Sequence, residues 1–340
     1  MISFITPCYN AAATLRRAVG GLLTQKGDWE LWLIDDGSTD DTAVLCDELA
    51  AQHEGIRVLH LPENCGSVVA RNCGLERAGG DYVAFLDADD ELMPGALEAL
   101  EPAMAAEAQA IVYGMRVTTT RGTKVLRQED LLPFGDHLTE PEDIHACLWW
   151  LESQTLFGYQ CNKAYRLDFL RATGVRLAGS PLLEDFFFNA AIAPHITGLW
   201  CIDQPLYSYH RSVAGSLSTR FEPDYWPIHR RKIAVWDELL NAWDMHFYTR
   251  ELGGLWLRYA LSSLERNCDR RSGLDKNAQL MHVEQLREDP FAQVHLAPET
   301  PWILRLLHRH LQGNNPHRAL GLGHVAHVAK KLMPGALLRR

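Results

Sequence analysis

The sequence predicts an α/β domain with a mostly parallel sheet flanked by helices, followed by a helical region. Short apolar segments alternate with segments of helical periodicity through the first 90 residues, as in βαβ units and parallel sheets. Polar residues directly follow three of the apolar segments, and sheets of this kind bind ligands at the carboxyl ends of their strands. From about residue 221 the apolar residues recur only at helical spacing.

Composition limits the class of protein. The chain has 340 residues, 47% of them hydrophobic and 22% charged, which is typical of a globular protein with a large core. The net charge of −10 argues against nucleic-acid binding. The eight cysteines form no CxxC pair, as expected of core residues in a reducing compartment. No apolar run spans a bilayer and no signal peptide is seen, so we expect a cytoplasmic protein.

The predicted elements follow in order. The first strand covers residues 2–6, and a helix over about 11–25 follows a polar turn. A helix opens at residues 41–42, where acidic and hydroxyl side chains favour a helix start. Further strands are predicted at 29–34, 56–61 and 82–86, with a helix at 66–78.

Three acids, Asp87, Asp89 and Asp90, follow the strand at 82–86. Asp87 and Asp89 are two residues apart, so in an extended chain they point the same way. Their repulsion favours a divalent cation, which takes oxygen ligands and often bridges a carboxylate to a diphosphate. The alternative is an Asp-rich turn before a helix that starts near residue 94. Neither GxGxxG nor GxxxxGK[ST] is present, which argues against dinucleotide and P-loop sites.

Four motifs occur in order in the first half of the chain: TPCYN at 6–10, LIDDGSTD at 33–40, ARN with Gly74 at 70–74, and FLDADD at 85–90. Over roughly the first 115 residues this pattern resembles glycosyltransferase family 2, with the GT-A fold. The resemblance implies a nucleotide-sugar donor, usually a UDP-sugar, an inverting transfer, and Mn²⁺ or Mg²⁺.

The resemblance also implies roles for individual residues at the donor site. Pro7 and Tyr9 would shape the base pocket, and Asp36 would accept a hydrogen bond from uracil, since an ionised Asp only accepts. Arg71 would lie near the nucleotide or diphosphate, Asp87 would face the ribose, and Asp89 would ligate the metal. Alternatives are a packed aromatic for Tyr9, a helix-capping loop around Asp36 and a surface ion pair for Arg71.

The second half of this domain carries a Glu184-Asp185 pair between apolar runs. The resemblance implies that Asp185 is the catalytic base, with Glu184 in a supporting or acceptor-binding role. An inverting displacement needs such a carboxylate to remove the proton of the acceptor hydroxyl. The alternative is that the two acids stabilise a helix N-terminus. Residues 158–169 also resemble the family, and their alternative is a buried strand that leads into a helix.

A last strand and a polar loop are predicted over residues 205–216, with Gly215–Ser216 folding over the donor. The family commonly has Arg after Tyr-x-Tyr in this stretch, where the present chain has His210. His210 could complete the metal shell, bind diphosphate as a cation, or be structural.

The expected domains are a catalytic domain at 1–218 and a helical region at 219–340. Residues 1–115 would bind the nucleotide sugar, and 116–218 the acceptor. Residues 301–340 contain seven Lys and Arg and no Asp or Glu, which indicates a basic amphipathic tail that contacts the inner-membrane surface. The alternative is docking of the tail on the acidic core. Helices are expected at 228–243, 247–266, 278–286, 302–311 and 322–333.

The sequence therefore predicts a metal-dependent hexosyl- or N-acetylhexosaminyltransferase. Its acceptor would be a hydroxyl of a glycan or lipid-linked saccharide in capsule, lipopolysaccharide or exopolysaccharide assembly, and it would bind no nucleic acid. The alternative is a catalytically degenerate scaffold or glycan-binding subunit. A nucleotidyltransferase is disfavoured because the turn at 6–10 lacks the glycines and basic residues that hold a triphosphate.

Overall fold

The structure is a computed structural model that describes residues 1–179, 182–212 and 221–332. The chain divides into two compact units, Met1–Thr219 and Arg220–Arg340. The loop expected at Gly215–Ser216 and the last eight residues of the basic tail lie outside the described residues.

The first unit is an α/β structure, and its first four strands lie within two residues of the predicted positions. The first helix begins at Leu15 rather than near residue 11. The residues before it form a turn, in which Ala11 N–H donates to Thr42 Oγ1 at 2.7 Å. The elements of this unit are β1 (Ile2–Cys8), α1 (Leu15–Leu23), β2 (Trp29–Asp35), α2 (Thr42–Gln52), β3 (Ile56–His60), α3 (Ser67–Arg77), β4 (Tyr82–Phe85), β5 (Glu91–Leu92), α4 (Ala96–Ala105), β6 (Ala110–Arg121), β7 (Lys124–Leu131), β8 (Asp136–Leu138), α5 (Pro141–Ser153), β9 (Lys163–Arg166), α6 (Leu167–Thr173), α7 (Glu184–Ile192) and β10 (Leu199–Ser212).

The strands form one mixed sheet in the order β3-β2-β1-β4-β9-β6-β10-β5, with β7 on β6 and β8 on β10. The first four strands in this order are parallel, and β6 and β10 are also parallel to each other. β9 lies antiparallel between β4 and β6. The predicted α/β fold class is confirmed, with a sheet that is parallel across β3, β2, β1 and β4 and mixed beyond them.

Close packing of α3 on β1 depends on a glycine. A Cβ at Gly74 would lie 2.4 Å from Cγ2 of Ile5, a distance that no side chain tolerates. Ile5 is fully buried in the middle of β1. Gly74 therefore fixes the distance between helix and strand, and it places Arg71, one turn earlier on α3, beside the carboxyl ends of the parallel strands.

The second unit is helical over its described residues, 221–332. Trp236 and Trp256 are completely buried in it. Its helices are α8 (Tyr225–Ala242), α9 (Thr249–Asn267), α10 (Lys276–Glu288), α11 (Trp302–Gln312) and α12 (Pro316–Leu332). Within the described residues, none of the helices combines the length and the apolar character needed to span a bilayer.

The basic tail is partly integrated into this helical unit. α11 buries Leu304, Leu307 and Leu311, whereas Trp302 at its start is largely exposed. Lys330 of α12 is paired with Glu265 of α9 at 2.9 Å. One apolar face of the tail thus packs inside its own unit, and basic and aromatic side chains remain on the outside.

Candidate active site

The candidate site lies at the carboxyl ends of the parallel strands. Residue pairs Cys8–Asp35 and Ile5–Phe85 are in register, so the turns after β1, β2 and β4 meet at one edge of the sheet. The N-terminus of α7 reaches the same edge, because Glu184 and Asp185 contact Arg71 of α3. The structure therefore brings together acids from motifs that lie about a hundred residues apart in sequence.

Arg71 is the centre of this cluster. Its side chain is only 9% exposed, and its Nη2 donates to Asp87 Oδ1 at 2.8 Å. Nη1 donates to Glu184 Oε1 and lies 3.3 Å from Asp185 Oδ1. Burial alone would lower the pKa of Arg71, but the three carboxylates raise it, so the guanidinium stays charged. This burial excludes the alternative of a surface ion pair.

The two acids at the start of α7 differ in access to solvent. Glu184 is 5% exposed, and its Oε1 also accepts a hydrogen bond from Ser67 Oγ at 2.8 Å. Asp185 is 28% exposed. Burial raises the pKa of both carboxyls, while Arg71 opposes the rise. Asp185 is thus the more accessible of the two acids, and Glu184 is held in place by Ser67 and Arg71.

Leu183, directly before these acids, has φ +66° and ψ +18°, a left-handed conformation that is uncommon for a branched side chain. Such a backbone costs about 1–3 kcal/mol and persists where the surrounding contacts enforce it. The strained residue here precedes the acid pair held by Arg71.

Asp90 has a structural part in the acidic turn after β4. Its side chain is fully buried, and it accepts hydrogen bonds from Tyr207 Oη at 2.9 Å and from His210 N–H at 2.7 Å. Tyr207 Oη in turn accepts from Asp87 N–H at 3.1 Å. Burial, together with the charges of Asp87 and Asp89, raises the pKa of Asp90 to about 9. Asp90 was expected only as one of three acids in this turn, and Tyr207 was not singled out from the sequence. Together they fix the turn to β10.

Asp89 is the exposed acid of this turn. Partial desolvation of the Asp89 carboxyl and the charge of neighbouring Asp87 raise the pKa of Asp89. A cation bound at Asp89 would therefore be favourable. In the described ranges, no three His, Cys, Asp or Glu side chains are arranged to hold a metal ion. This donor set fits a cation that binds through one carboxylate together with phosphate oxygens, as Mg²⁺ usually does.

His210 and Arg17 flank the same turn. His210 Nε2 lies 3.1 Å from Glu91 Oε1 and 3.2 Å from Ser208 Oγ, so in this structure its ring faces those residues. Arg17 of α1 donates to the backbone carbonyl of Asp89. Arg17 was not singled out from the sequence, where it reads as an ordinary exposed residue of an amphipathic helix.

The residues expected to hold a nucleobase lie on the neighbouring turns. Tyr9 is 48% exposed and so is not a packed core aromatic, and Pro7 is half-buried beside it. Asp36 is buried, and its two carboxylate oxygens accept from the N–H groups of Cys65 and Gly66 at 2.7 and 2.8 Å. Asp36 therefore anchors the loop before α3, and each oxygen keeps one lone pair for a further donor.

The stretch at 158–169 forms a strand that leads into a helix, as its alternative interpretation predicted. Lys163 is buried, and its ammonium donates to Leu156 O, Tyr159 O and Asn162 Oδ1 at 2.8, 2.6 and 2.8 Å. Burial lowers the pKa of Lys163 to about 7. These bonds fix the turn before β9.

Comparison with known proteins identifies the GT-A fold and the family to which the chain belongs. The structure matches that of S. aureus TarS residues 1–349 in complex with UDP-GlcNAc with a TM-score of 0.61, covering 97% of this chain and 91% of that chain at 17% identity. At this identity the likeness shows the fold. The sequence profile of glycosyl transferase family 2 matches residues 3–173, half of the chain. The chain therefore belongs to glycosyltransferase family 2.

Two curated relatives are similar to part of the chain. TuaG of Bacillus subtilis (strain 168), named as a teichuronic acid biosynthesis glycosyltransferase, is 44% identical over 99 residues, 29% of this chain and 39% of TuaG. The succinoglycan biosynthesis protein ExoO of Rhizobium meliloti (strain 1021) is 33% identical over 167 residues, 48% of this chain and 45% of ExoO. The chain thus spans less than half the length of either relative.

Proposed function

We propose that this protein is an inverting, metal-dependent transferase that moves a hexosyl or N-acetylhexosaminyl group from a UDP-sugar to a glycan or lipid-linked saccharide hydroxyl. The observation that carries the proposal is the Arg71 bridge. One buried guanidinium joins Asp87, from the donor-site motif, to Asp185, from the acid pair of α7. Leaving group and base must lie on opposite sides of one sugar carbon in an inverting transfer, and this bridge holds both acids at one site.

In the proposed donor site, Tyr9 stacks on uracil with its exposed ring, and Pro7 lines the pocket beside it. Asp36 accepts from the uracil N–H with a remaining lone pair, and Asp87 faces the ribose. Arg71 contributes by holding the carboxylates of Asp87, Glu184 and Asp185 in place. The matched TarS structure contains UDP-GlcNAc, which supports a uridine nucleotide as the donor.

A divalent cation, Mn²⁺ or Mg²⁺, would be held by Asp89 together with the diphosphate of the donor. When bound, such an ion neutralises charge on the leaving diphosphate. His210 is a second candidate ligand, although in this structure its ring faces Glu91 and Ser208.

Asp185 is the proposed general base. The acceptor oxygen forms a bond to the anomeric carbon, the bond from that carbon to the diphosphate breaks, and UDP leaves with its electron pair. Asp185 takes the proton of the attacking hydroxyl. Burial makes this carboxylate more basic than an exposed Asp, and Arg71 keeps it ionised before the reaction. Glu184 supports Arg71 and Asp185.

Bacterial surface-polysaccharide assembly is the proposed setting, supported by the names of the relatives TuaG and ExoO. Residues 1–115 would bind the donor and 116–218 the acceptor. The outer side of the helical tail carries exposed Trp302 with Arg309, which supports a peripheral contact with an anionic membrane surface at the cytoplasmic side.

Thermal unfolding with UDP, GDP, CDP and dTDP, each with and without Mn²⁺, tests the proposal. A ligand at about a hundred times its Kd stabilises by about 2.7 kcal/mol, which gives a readable shift in Tm. We expect a shift with UDP that grows with Mn²⁺. A shift with another nucleotide alone would overturn the UDP assignment, and no shift with any nucleotide would favour the degenerate scaffold.

A further inference from the structure

Unsatisfied polar atoms are concentrated at the candidate site. In the described part of the α/β unit, six buried side-chain polar atoms make no hydrogen bond. Each such atom destabilises the folded protein unless a ligand or water satisfies it. Arg71 Nε and Glu184 Oε2 belong to the acid cluster itself, and Thr6 Oγ1 belongs to the residue before Pro7. Both amide atoms of Gln160 are also unsatisfied, and the backbone of Gln160 lies beside Asp185.

Gln160 contributes two of these atoms and is 1% exposed. Its backbone is fully used: its N–H is hydrogen-bonded to the Asp185 carboxylate, and its carbonyl accepts from Lys163 N–H at 3.1 Å. The preceding carbonyl, of Tyr159, accepts from Asn189 Nδ2 at 3.0 Å and from Lys163 Nζ. The backbone of Gln160 is therefore fixed beside the proposed base while its side-chain amide has no partner.

The surroundings of Gln160 connect the base to the donor-site acids. The next residue, Cys161, has its pKa raised by burial and by the charges of Asp87, Asp90 and Asp185. The sugar of a bound UDP-sugar must lie between the diphosphate end of the site and Asp185, because the attacking hydroxyl loses its proton there. The backbone of Gln160 lies at the Asp185 end of this region.

An amide is chemically suited to a sugar. It offers one acceptor oxygen and two N–H donors, which match a hydroxyl or acetamido group, and it adds no charge that would change the ionisation of Asp185. Its three rotatable bonds allow the enclosed amide to turn toward a bound ligand. We propose that Gln160 determines donor specificity by hydrogen-bonding a polar substituent of the donor sugar; this inference rests on the proposed function.

Gln160→Met is the test variant, because methionine is also unbranched and carries no amide. Removing two unsatisfied atoms should raise the Tm of the free protein. UDP affinity should stay unchanged. The affinity gained by a sugar, taken as the ratio of the Kd of UDP to that of UDP-GlcNAc, UDP-glucose or UDP-galactose, should fall about fivefold for the preferred sugar.

Two further variants sharpen this test. Trp32→Phe removes the sixth unsatisfied atom found in the described part of the unit, which lies in β2, and should leave the ratio unchanged. Gln160→Ala should lower the ratio as Gln160→Met does, and it covers the case in which methionine packs poorly. The measurement is calorimetric titration of each variant with UDP and the three UDP-sugars.

The outcomes separate the inference from the proposed function. An unchanged ratio in both Gln160 variants would overturn the specificity role, as would a wild type that binds UDP but gains nothing from any of the three sugars. A wild type that binds no UDP would refute the proposed function and this inference with it. A loss of UDP affinity equal to the loss of UDP-sugar affinity would show that Gln160 acts on the nucleotide site instead.

Discussion

Arg71→Met removes the cation that holds three carboxylates at the candidate site. Methionine also has an unbranched side chain at this position of α3, but it carries no charge. Asp87, Glu184 and Asp185 would then face one another across a largely buried space, with Ser67 as a remaining partner of Glu184. The substitution therefore perturbs both the stability of the α/β unit and the ionisation of the proposed base.

The expected size follows from burial. Leaving one partner of a buried ion pair uncompensated costs about 3–5 kcal/mol, and Arg71 at 9% exposure pairs with Glu184 at 5%. For a unit of this length, that corresponds to a fall in Tm of about 6–20 °C. Arg16→Met is the matched control: its pair with Glu48, at 2.6 Å, is exposed, so it should cost about 0–1 kcal/mol.

The pH dependence has a definite sign. Burial raises the folded-state pKa of Glu184 and Asp185 above their ordinary values of 4.5 and 3.8. The free energy of unfolding therefore falls as the pH rises above these ordinary values and the two carboxyls ionise. Without Arg71 both pKa values rise further and the cost grows. The difference in Tm between wild type and Arg71→Met should therefore be largest near neutral pH and narrow toward about pH 4.

Calorimetric unfolding of wild type, Arg71→Met and Arg16→Met between these pH values provides the assay. Arg71→Lys should recover part of the loss, because one ammonium keeps the charge but not the fork of donors that reaches three acids. The reasoning is refuted if Arg71→Met loses no more stability than Arg16→Met, or if its deficit grows as the pH falls.

Three further predictions concern ligands. Tyr9→Ala should weaken UDP binding about tenfold with little change in Tm, since its half-exposed ring would lose base stacking; calorimetric titration checks this, with Tyr9→Phe expected to match wild type. Asp89→Asn should abolish the part of UDP affinity that depends on Mn²⁺ and preserve metal-free binding, whereas exposed Asp28→Asn should change neither titration. The full chain should sediment with anionic vesicles at low salt, and the Arg309→Glu variant should sediment with them to a smaller extent. No sedimentation of the wild type would exclude the membrane contact.

The strands of the fold could be predicted because their signal is local. Continuous apolar runs bounded by turn residues mark β1, β2, β3 and β4. β5 and β8, with two and three residues, are too short to carry a pattern. The start of α1 was predicted four residues too early. The chain before Leu15 forms a turn with a contact to Thr42, thirty-one positions away, which apolar periodicity does not report.

The site was predictable only in outline. Parallel strands place the turns at Tyr9, Asp36 and Asp87 at one edge, so their proximity follows from the βαβ pattern. Sequence periodicity does not report which side chains meet across the fold. The contact of Arg71 with Glu184 spans 113 positions, and nothing local indicates that Asp36 binds the N–H groups of the loop before α3.

The unsatisfied amide of Gln160 shows a different limit. A glutamine between Tyr159 and Cys161 looks like one residue of an apolar turn. Only the folded structure reveals that its side-chain amide has no partner. The spacing of Ser67 and Arg71, four residues apart on α3, was a usable signal for a shared contact with Glu184.

Release of UDP from UDP-sugars by wild type and Asp185→Asn tests the central claim most directly. The assay supplies Mn²⁺, the three UDP-sugars named above, and isolated bacterial surface glycans and lipid-linked saccharides as acceptors. The account predicts that Asp185→Asn binds UDP as wild type does and releases UDP at least a hundredfold more slowly, since a positioned base contributes about 10²–10⁴ to the rate. Equal release by the two proteins, with equal UDP affinity, would contradict it.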